Sequence, residues 1–175
     1  MTQTAADPGP FPPDSIEAFL RFCAGEWMSL RSRFALEDLA AASSAEAAAT
    51  EAAEGDEWHS SERGELVVTY LEAEAGGEPG GLSVGPKGEP PRRLQFTADG
   101  SFSDGEQRGS WELWPDGSLE LILNAGEREL RERIWFTKPN LRLRSTLEST
   151  ADGGPSRASF CSEIRRVSRP AAAAA

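Results

Sequence analysis

In 175 residues the chain has one histidine, two cysteines and one tyrosine. The single His59 excludes His-rich metal sites and speaks against a His-dependent nucleophile triad. Cys23 and Cys161 are too few for a secreted disulfide scaffold, so a cytosolic protein with reduced thiols is expected. No window approaches the ~18 consecutive apolar residues of a membrane span. The opening MTQTAADPGPFPPD has neither the basic region nor the apolar core of a signal peptide. Basic charge is also short. Lys+Arg number 18 against 29 Asp+Glu, a formal net charge of −11, the reverse of the basic surface that a nucleic-acid binder needs.

What is present points to one β-rich domain. Apolar residues make up 38% of the chain, enough for one core, and Gly 17 with Pro 12 implies many turns. Charge is uneven: residues 1–90 hold 17 acids and 5 bases, residues 91–175 hold 12 acids and 13 bases. All but Lys87 and Lys138 of the bases are arginine, the side chain suited to bidentate grip on carboxylates and to stacking on planar groups.

The Pro/Gly-rich residues 1–13 are expected to be disordered, as is the tail 169–175, leaving a single domain over 14–168. Asp14 as N-cap with Glu17 fits a capping box, and Ile16, Phe19, Leu20 and Cys23 form one helix face ending before Gly25. Residues 27–36 read as a strand with Met28, Leu30, Phe34 and Leu36 on one face and Trp27, Ser29, Arg31 and Arg33 on the other. The Ala/Glu-rich stretch 37–57 has no stripe of large apolar residues and reads as an inserted, solvated loop, with His59 exposed in an acidic loop. Runs at 65–71, 82–84, 92–97, 107–114, 118–124, 127–137, 141–149 and 157–166 are strands separated by Gly, Pro and Asn breaks. About eight to ten antiparallel strands after one short helix is the pattern of an up-and-down barrel with room for one small ligand. A β-sandwich is the alternative.

Several side chains stand out chemically. Glu132 is the one acid in the mostly apolar row Arg128, Leu130, Glu132, Ile134, Phe136, where a carboxylate costs free energy unless it is paired; an arginine from the next strand is the simplest partner. Arg142, Arg144 and Thr146 share a face, the two arginines ~6.6 Å apart at ~3.3 Å per residue, suited to grip carboxylates. The sequence leaves open which face of that strand is inside. Glu163 shares a face with Ser159, Cys161 and Arg165 and is placed to meet Arg142 or Arg144 across the sheet. Cys161 lacks a local His to activate it, and both cysteines read as small core residues. Trp27, Trp58, Trp111, Trp114 and Trp135 either fill a core or line a pocket for a flat conjugated ligand.

The runs Glu132-Arg133-Ile134-Trp135-Phe136, Pro139-Asn140-Leu141-Arg142-Leu143-Arg144-Ser145 and Ala158-Ser159-Phe160-Cys161-Ser162-Glu163-Ile164-Arg165 closely resemble the CpcS/CpeS-type (S-type) phycobilin lyases of cyanobacteria. Residues 16–34 are similar to that family's first helix and strand, departing at Leu30 where glutamine is expected, and the Gly25-Glu26-Trp27 step resembles a lipocalin opening. The resemblance covers roughly residues 14–36 and 92–167; the Ala-rich stretch within 37–91 looks like an insertion peculiar to this chain. It implies a lipocalin-like or fatty-acid-binding-protein-like barrel, and a cytoplasmic enzyme that binds a linear tetrapyrrole as substrate, with no cofactor and no metal. The bilin, phycocyanobilin or phycoerythrobilin, would be attached by a thioether bond to a cysteine of an apo-phycobiliprotein subunit. Partners implied are the bilin, that acceptor, and a second copy or a related lyase subunit. By the same resemblance Glu132 and Glu163 are the catalytic acids near the pyrrole nitrogens. Arg142, Arg144 and Thr146 contact the bilin, Thr146 standing where serine is expected, and Arg31 and Trp111 are further contacts. A non-catalytic lipocalin-like carrier of a tetrapyrrole or other amphipathic ligand is the alternative.

Overall fold

A computed structural model of the chain describes residues 9–36 and 59–167. Helix α1 (Ile16–Cys23) precedes ten strands: β1 (Gly25–Ala35), β2 (His59–Leu71), β3 (Gly80–Pro86), β4 (Arg92–Phe96), β5 (Ser101–Asp104), β6 (Gln107–Leu113), β7 (Leu119–Ala125), β8 (Arg128–Lys138), β9 (Leu141–Ser149) and β10 (Pro155–Arg165). Every neighbouring pair is antiparallel, and β1 closes on β10, so the sheet is a closed barrel rather than a sandwich. No described helix is long and apolar enough to cross a membrane.

The core joins helix and barrel. Phe19, Leu20 and Cys23 of α1 are buried with Trp27, Val68, Leu82, Leu94, Phe96, Phe102, Leu119, Leu121 and Ile134. Phe22, which the helix-face reading leaves out, is buried as well, edge-on to Phe136 with ring centroids 4.9 Å apart. Arg165 at the end of β10 ties α1 down. Its guanidinium donates to the carbonyls of Phe22 and Ala24 and stacks over Trp27 at 4.2 Å, while the Trp27 indole donates to the Cys23 carbonyl at 2.9 Å. These bonds occupy carbonyls that a helix end leaves unpaired. Gly109 is required by close packing, because a Cβ there would lie 2.2 Å from the Ile122 carbonyl and 2.6 Å from the Phe102 ring.

Some sequence expectations shift. The N-cap of α1 is Ser15, whose hydroxyl accepts from the Ala18 amide, and not Asp14. Both residue types cap well, so the pattern alone did not separate adjacent candidates. β2 begins at His59, which therefore lies in a strand opposite Phe34, ring centroids 5.1 Å apart, and not in a loop. Residues 59–65 are polar and form strand because β1 supplies a full antiparallel partner. The short β5 has no counterpart among the expected runs. The expected disorder of residues 1–13 stops short of Phe11, whose ring packs on Phe22 at 5.6 Å. The expected loop 37–57, Trp58 and the tail 169–175 lie outside the described residues.

The cap assignment is testable by chemical denaturation. Ser15→Ala should cost about 1 kcal/mol, and Asp14→Ala should be near neutral; the opposite order would restore Asp14 as the cap.

Candidate functional site

Strand alternation places the candidate side chains. Across the β10–β9 ladder Glu163 pairs with Arg142 and Cys161 with Arg144; across β8–β9 Glu132 pairs with Thr146. All of these point into the barrel: Arg142 is 1% exposed, Glu163 1% and Arg144 7%. The face question is thereby answered, with Arg142, Arg144 and Thr146 inside and Leu141, Leu143 and Leu147 outside.

The buried groups form one ionic network. Arg142 Nε donates to Glu163 Oε2 at 2.5 Å. Arg144 bridges both acids, with NH2 at 3.4 Å from Glu163 Oε1 and NH1 at 3.2 Å from Glu132 Oε1. Thr146 Oγ1 donates to Glu132 Oε2 at 3.3 Å. Glu132 thus has the arginine partner from the next strand that its apolar row demands. Arg31, on the inward face of β1 opposite Cys161, adds its charge to the field on Glu163. Burial works to raise the Glu163 pKa, but Arg144 and Arg142 outweigh it and hold this carboxyl below its ordinary range. For Arg144, burial acts to lower the pKa and the facing Glu132 and Glu163 more than offset it, so the guanidinium stays charged. Burial pushes both the Cys161 and the Cys23 thiol up, consistent with small core residues rather than nucleophiles.

Two donors are left over. Arg142 NH2 and Arg144 Nε are buried and have no hydrogen-bond partner. The small internal cavity lined by Arg142, Arg144, Glu132, Cys23, Leu119 and Ile134 measures about 20 Å³, room for about one water. Trp27, which the sequence offers only as one of five tryptophans for a core or a pocket, takes part directly: Arg142 stacks over its ring at 4.5 Å. Its signal was its place on the same β1 face as Ser29 and Arg31. Trp111 also points inward, two strands from Glu132 through Leu121. It packs on the apolar core, its indole donates to the Thr97 carbonyl at 3.0 Å, and it does not line the small cavity.

A group held ionised in this way stabilises the fold only where it is charged. Because folded Glu163 sits below its ordinary value of 4.5, its contribution is complete above that value and is lost as pH falls through the depressed one. The Tm difference between wild type and Glu163→Gln should therefore narrow as pH is lowered from about 7 to about 3. A constant difference over that range would show that Glu163 titrates as an ordinary carboxyl.

Comparisons with known proteins give the family. A family model described as CpeS-like protein matches residues 99–166, which hold β5 to β10 and the whole Glu132–Arg142–Arg144–Glu163 set. A protein from Paulinella chromatophora named chromophore lyase CpcS/CpeS 1 is 42% identical over 161 residues, covering 91% of this chain and 92% of its own length. A protein of the same name from Synechocystis sp. (strain PCC 6803) is 45% identical over 60 residues, 34% of this chain and 32% of its own. In fold, the chain is similar to the S-type phycobiliprotein lyase CPES from Guillardia theta, with a TM-score of 0.62, 21% identity, and coverage of 89% of this chain and 95% of that one. The chain belongs to the CpcS/CpeS chromophore lyase family.

Proposed function

We propose that this chain is a bilin lyase: it binds a linear tetrapyrrole inside the barrel and delivers it to a cysteine of an apo-phycobiliprotein subunit. The observation that carries this reading is the pair of unpartnered guanidinium donors, Arg142 NH2 and Arg144 Nε, in an apolar interior. A buried donor without a partner costs about 1–3 kcal/mol, a cost removed by a ligand that brings acceptors. Bilins carry two propionates, which suit a pair of arginines. Their pyrrole nitrogens can take a proton, and the cationic form is favoured by a nearby carboxylate, the role we assign to Glu132 and Glu163. Arg31, Thr146 and Trp111 lie on the inward face and are assigned as further wall of the bound state.

The chemistry is an addition. The acceptor's thiolate sulfur bonds to the ethylidene carbon of the A ring, the double-bond pair moves into the protonated tetrapyrrole, and a ring carbon ends with the proton. No group leaves and nothing is oxidised or reduced. The nucleophile comes from the acceptor, which fits the buried, raised thiols of this chain. Small-molecule pockets measure about 300–1,000 Å³, against a cavity of about 20 Å³ inside the barrel. Bilin entry therefore moves side chains of the network apart. In this reading the two carboxylates occupy the arginines until propionates replace them.

Removal of one partner separates function from folding only with a control. Arg142→Ala should weaken bilin binding by about 1.5–3 kcal/mol. It also leaves the buried Glu163 with Arg144 as its one remaining arginine partner among the described residues, and breaking a buried pair costs up to about 3–5 kcal/mol in stability. The double variant Arg142→Leu/Glu163→Leu should regain most of that stability without regaining affinity. Absorption titrations and denaturation on the three proteins check this, and a double variant that binds bilin as wild type does would reduce the pair to a structural role.

Glu132→Gln and Glu163→Gln keep shape and hydrogen-bonding capacity. Each should blue-shift the bound bilin and slow single-turnover transfer to the acceptor more than it weakens binding. Wild-type spectra and rates in both would remove the protonation role. Covalent transfer, read on a denaturing gel, also separates the lyase from a non-catalytic carrier.

A further inference from the structure

Charge around the deep cavity does not balance. The guanidinium groups of Arg31, Arg142, Arg144 and Arg165 act there against the carboxylates of Glu132 and Glu163 alone. Arg31 adds its field to Glu163, and Arg165, stacked on the Trp27 ring that Arg142 also covers, is repelled by Arg142. Neither Arg31 nor Arg165 has a carboxylate within salt-bridge distance among the described residues. Glu62, across the β1–β2 ladder from Arg31, is held by Arg33 at 2.7 Å, and Arg165 donates to the carbonyls of Phe22 and Ala24. The remaining charged residue of the lining, Arg92, is paired with Asp104 at 2.8 Å. The thiols of Cys23 and Cys161 do not make up the difference, because burial pushes both up and keeps them neutral.

We propose that the bilin-free chain binds one small monovalent anion, of which chloride is the simplest, between Arg142 and Arg144. Three observations favour an anion over a water. The two buried side-chain atoms without a partner, Arg142 NH2 and Arg144 Nε, are both donors on cations. A water would fill them but would bring donors of its own into a lining that is largely apolar, with Leu82, Leu94, Leu119, Leu121 and Ile134. Chloride only accepts. Glu132 also lines the cavity, but its oxygens are turned to Arg144 NH1 and Thr146 Oγ1. Next, the excess of positive charge is offset by one negative ion, as buried charge requires. Last, about 20 Å³ holds one sphere of roughly water's size and no polyatomic acid.

The site gives the two arginines an occupant before the substrate arrives. The consequence for the reaction rests on the bilin reading above. If propionates take the same donors, the ion leaves as the bilin enters, and halide competes with chromophore. Run backwards, the same exchange fills the donors again when the bilin passes to its acceptor, so release does not strand them.

Two measurements on the full chain without bilin test the site. With chloride replacing gluconate at constant ionic strength, the thermal midpoint should rise, linearly in the logarithm of chloride once above its dissociation constant. In the same samples the protein should broaden the chlorine NMR line. Bromide should remove that broadening, and sulfate at equal ionic strength should not, being too large for the cavity. The charge-balanced double variants Arg142→Leu/Glu163→Leu and Arg144→Leu/Glu132→Leu each delete one of the two donors. Each should weaken chloride binding at least about 10-fold, with circular dichroism unchanged. Arg108→Gln, at an exposed arginine of β6, should keep the wild-type response. A wild-type chain with neither broadening nor a chloride-dependent midpoint overturns the proposal and gives the donors to water. Displacement by sulfate as effective as by bromide overturns it too, as does a chloride response that both double variants keep. A bilin titration then separates this site from the chromophore reading: the apparent dissociation constant of the bilin should rise in proportion to chloride. Chloride binding without that rise supports the anion site and takes the propionates off these two donors.

Discussion

The interior of this barrel is organised by the contact between Arg142 and Glu163. Both are essentially without exposure, and each in isolation would carry a desolvation cost of several kcal/mol. Neither is tolerable without the other, so the β9–β10 register that sets Arg142 opposite Glu163 is also an electrostatic requirement. Arg144 extends the constraint to Glu132 and so to β8. The result is a charge-balanced network that still leaves donors unfilled, a stable arrangement that gains from an acidic ligand.

The network is braced from the closed end. Trp27 lies under both Arg142 and Arg165, and Arg165 holds the last carbonyls of α1. Helix, first strand and last strand therefore meet on one indole. On these same strands the usual distribution is inverted, with charge inside and Met28, Leu30, Leu147, Phe160 and Ile164 outside. Strands β3 to β7 follow the ordinary rule, with Leu82, Leu94, Phe102 and Leu121 inside.

That inversion explains what the sequence could and could not reveal. Alternation separated Arg142, Arg144 and Thr146 from Leu141, Leu143 and Leu147 without the structure, because the period of a strand is a backbone property. It could not tell which set faced inward, since the apolar-inside rule points the wrong way on β1, β9 and β10. Glu132 was legible because its own row is apolar. The meeting of Glu163 with Arg142 or Arg144 was also legible, and the structure shows both contacts; that both form at once, and that the ring of Trp27 lies beneath Arg142, depends on three-strand register and closure, which local pattern does not encode. The Ser15 cap and the polar half of β2 were lost for a simpler reason: neighbouring residues of equal propensity, and a strand stabilised by its partner rather than by its composition.

The most direct test is the protonation state of a bilin bound to the wild-type chain, read by resonance Raman spectroscopy in water and in heavy water. If Glu132 and Glu163 act on the pyrrole nitrogens, the bound tetrapyrrole is cationic at neutral pH and shows an N–H bending band that shifts in heavy water. A bound bilin with the neutral chromophore's spectrum would mean that the buried carboxylates serve only their arginines, and the proposed role of the network in activating the chromophore would be wrong.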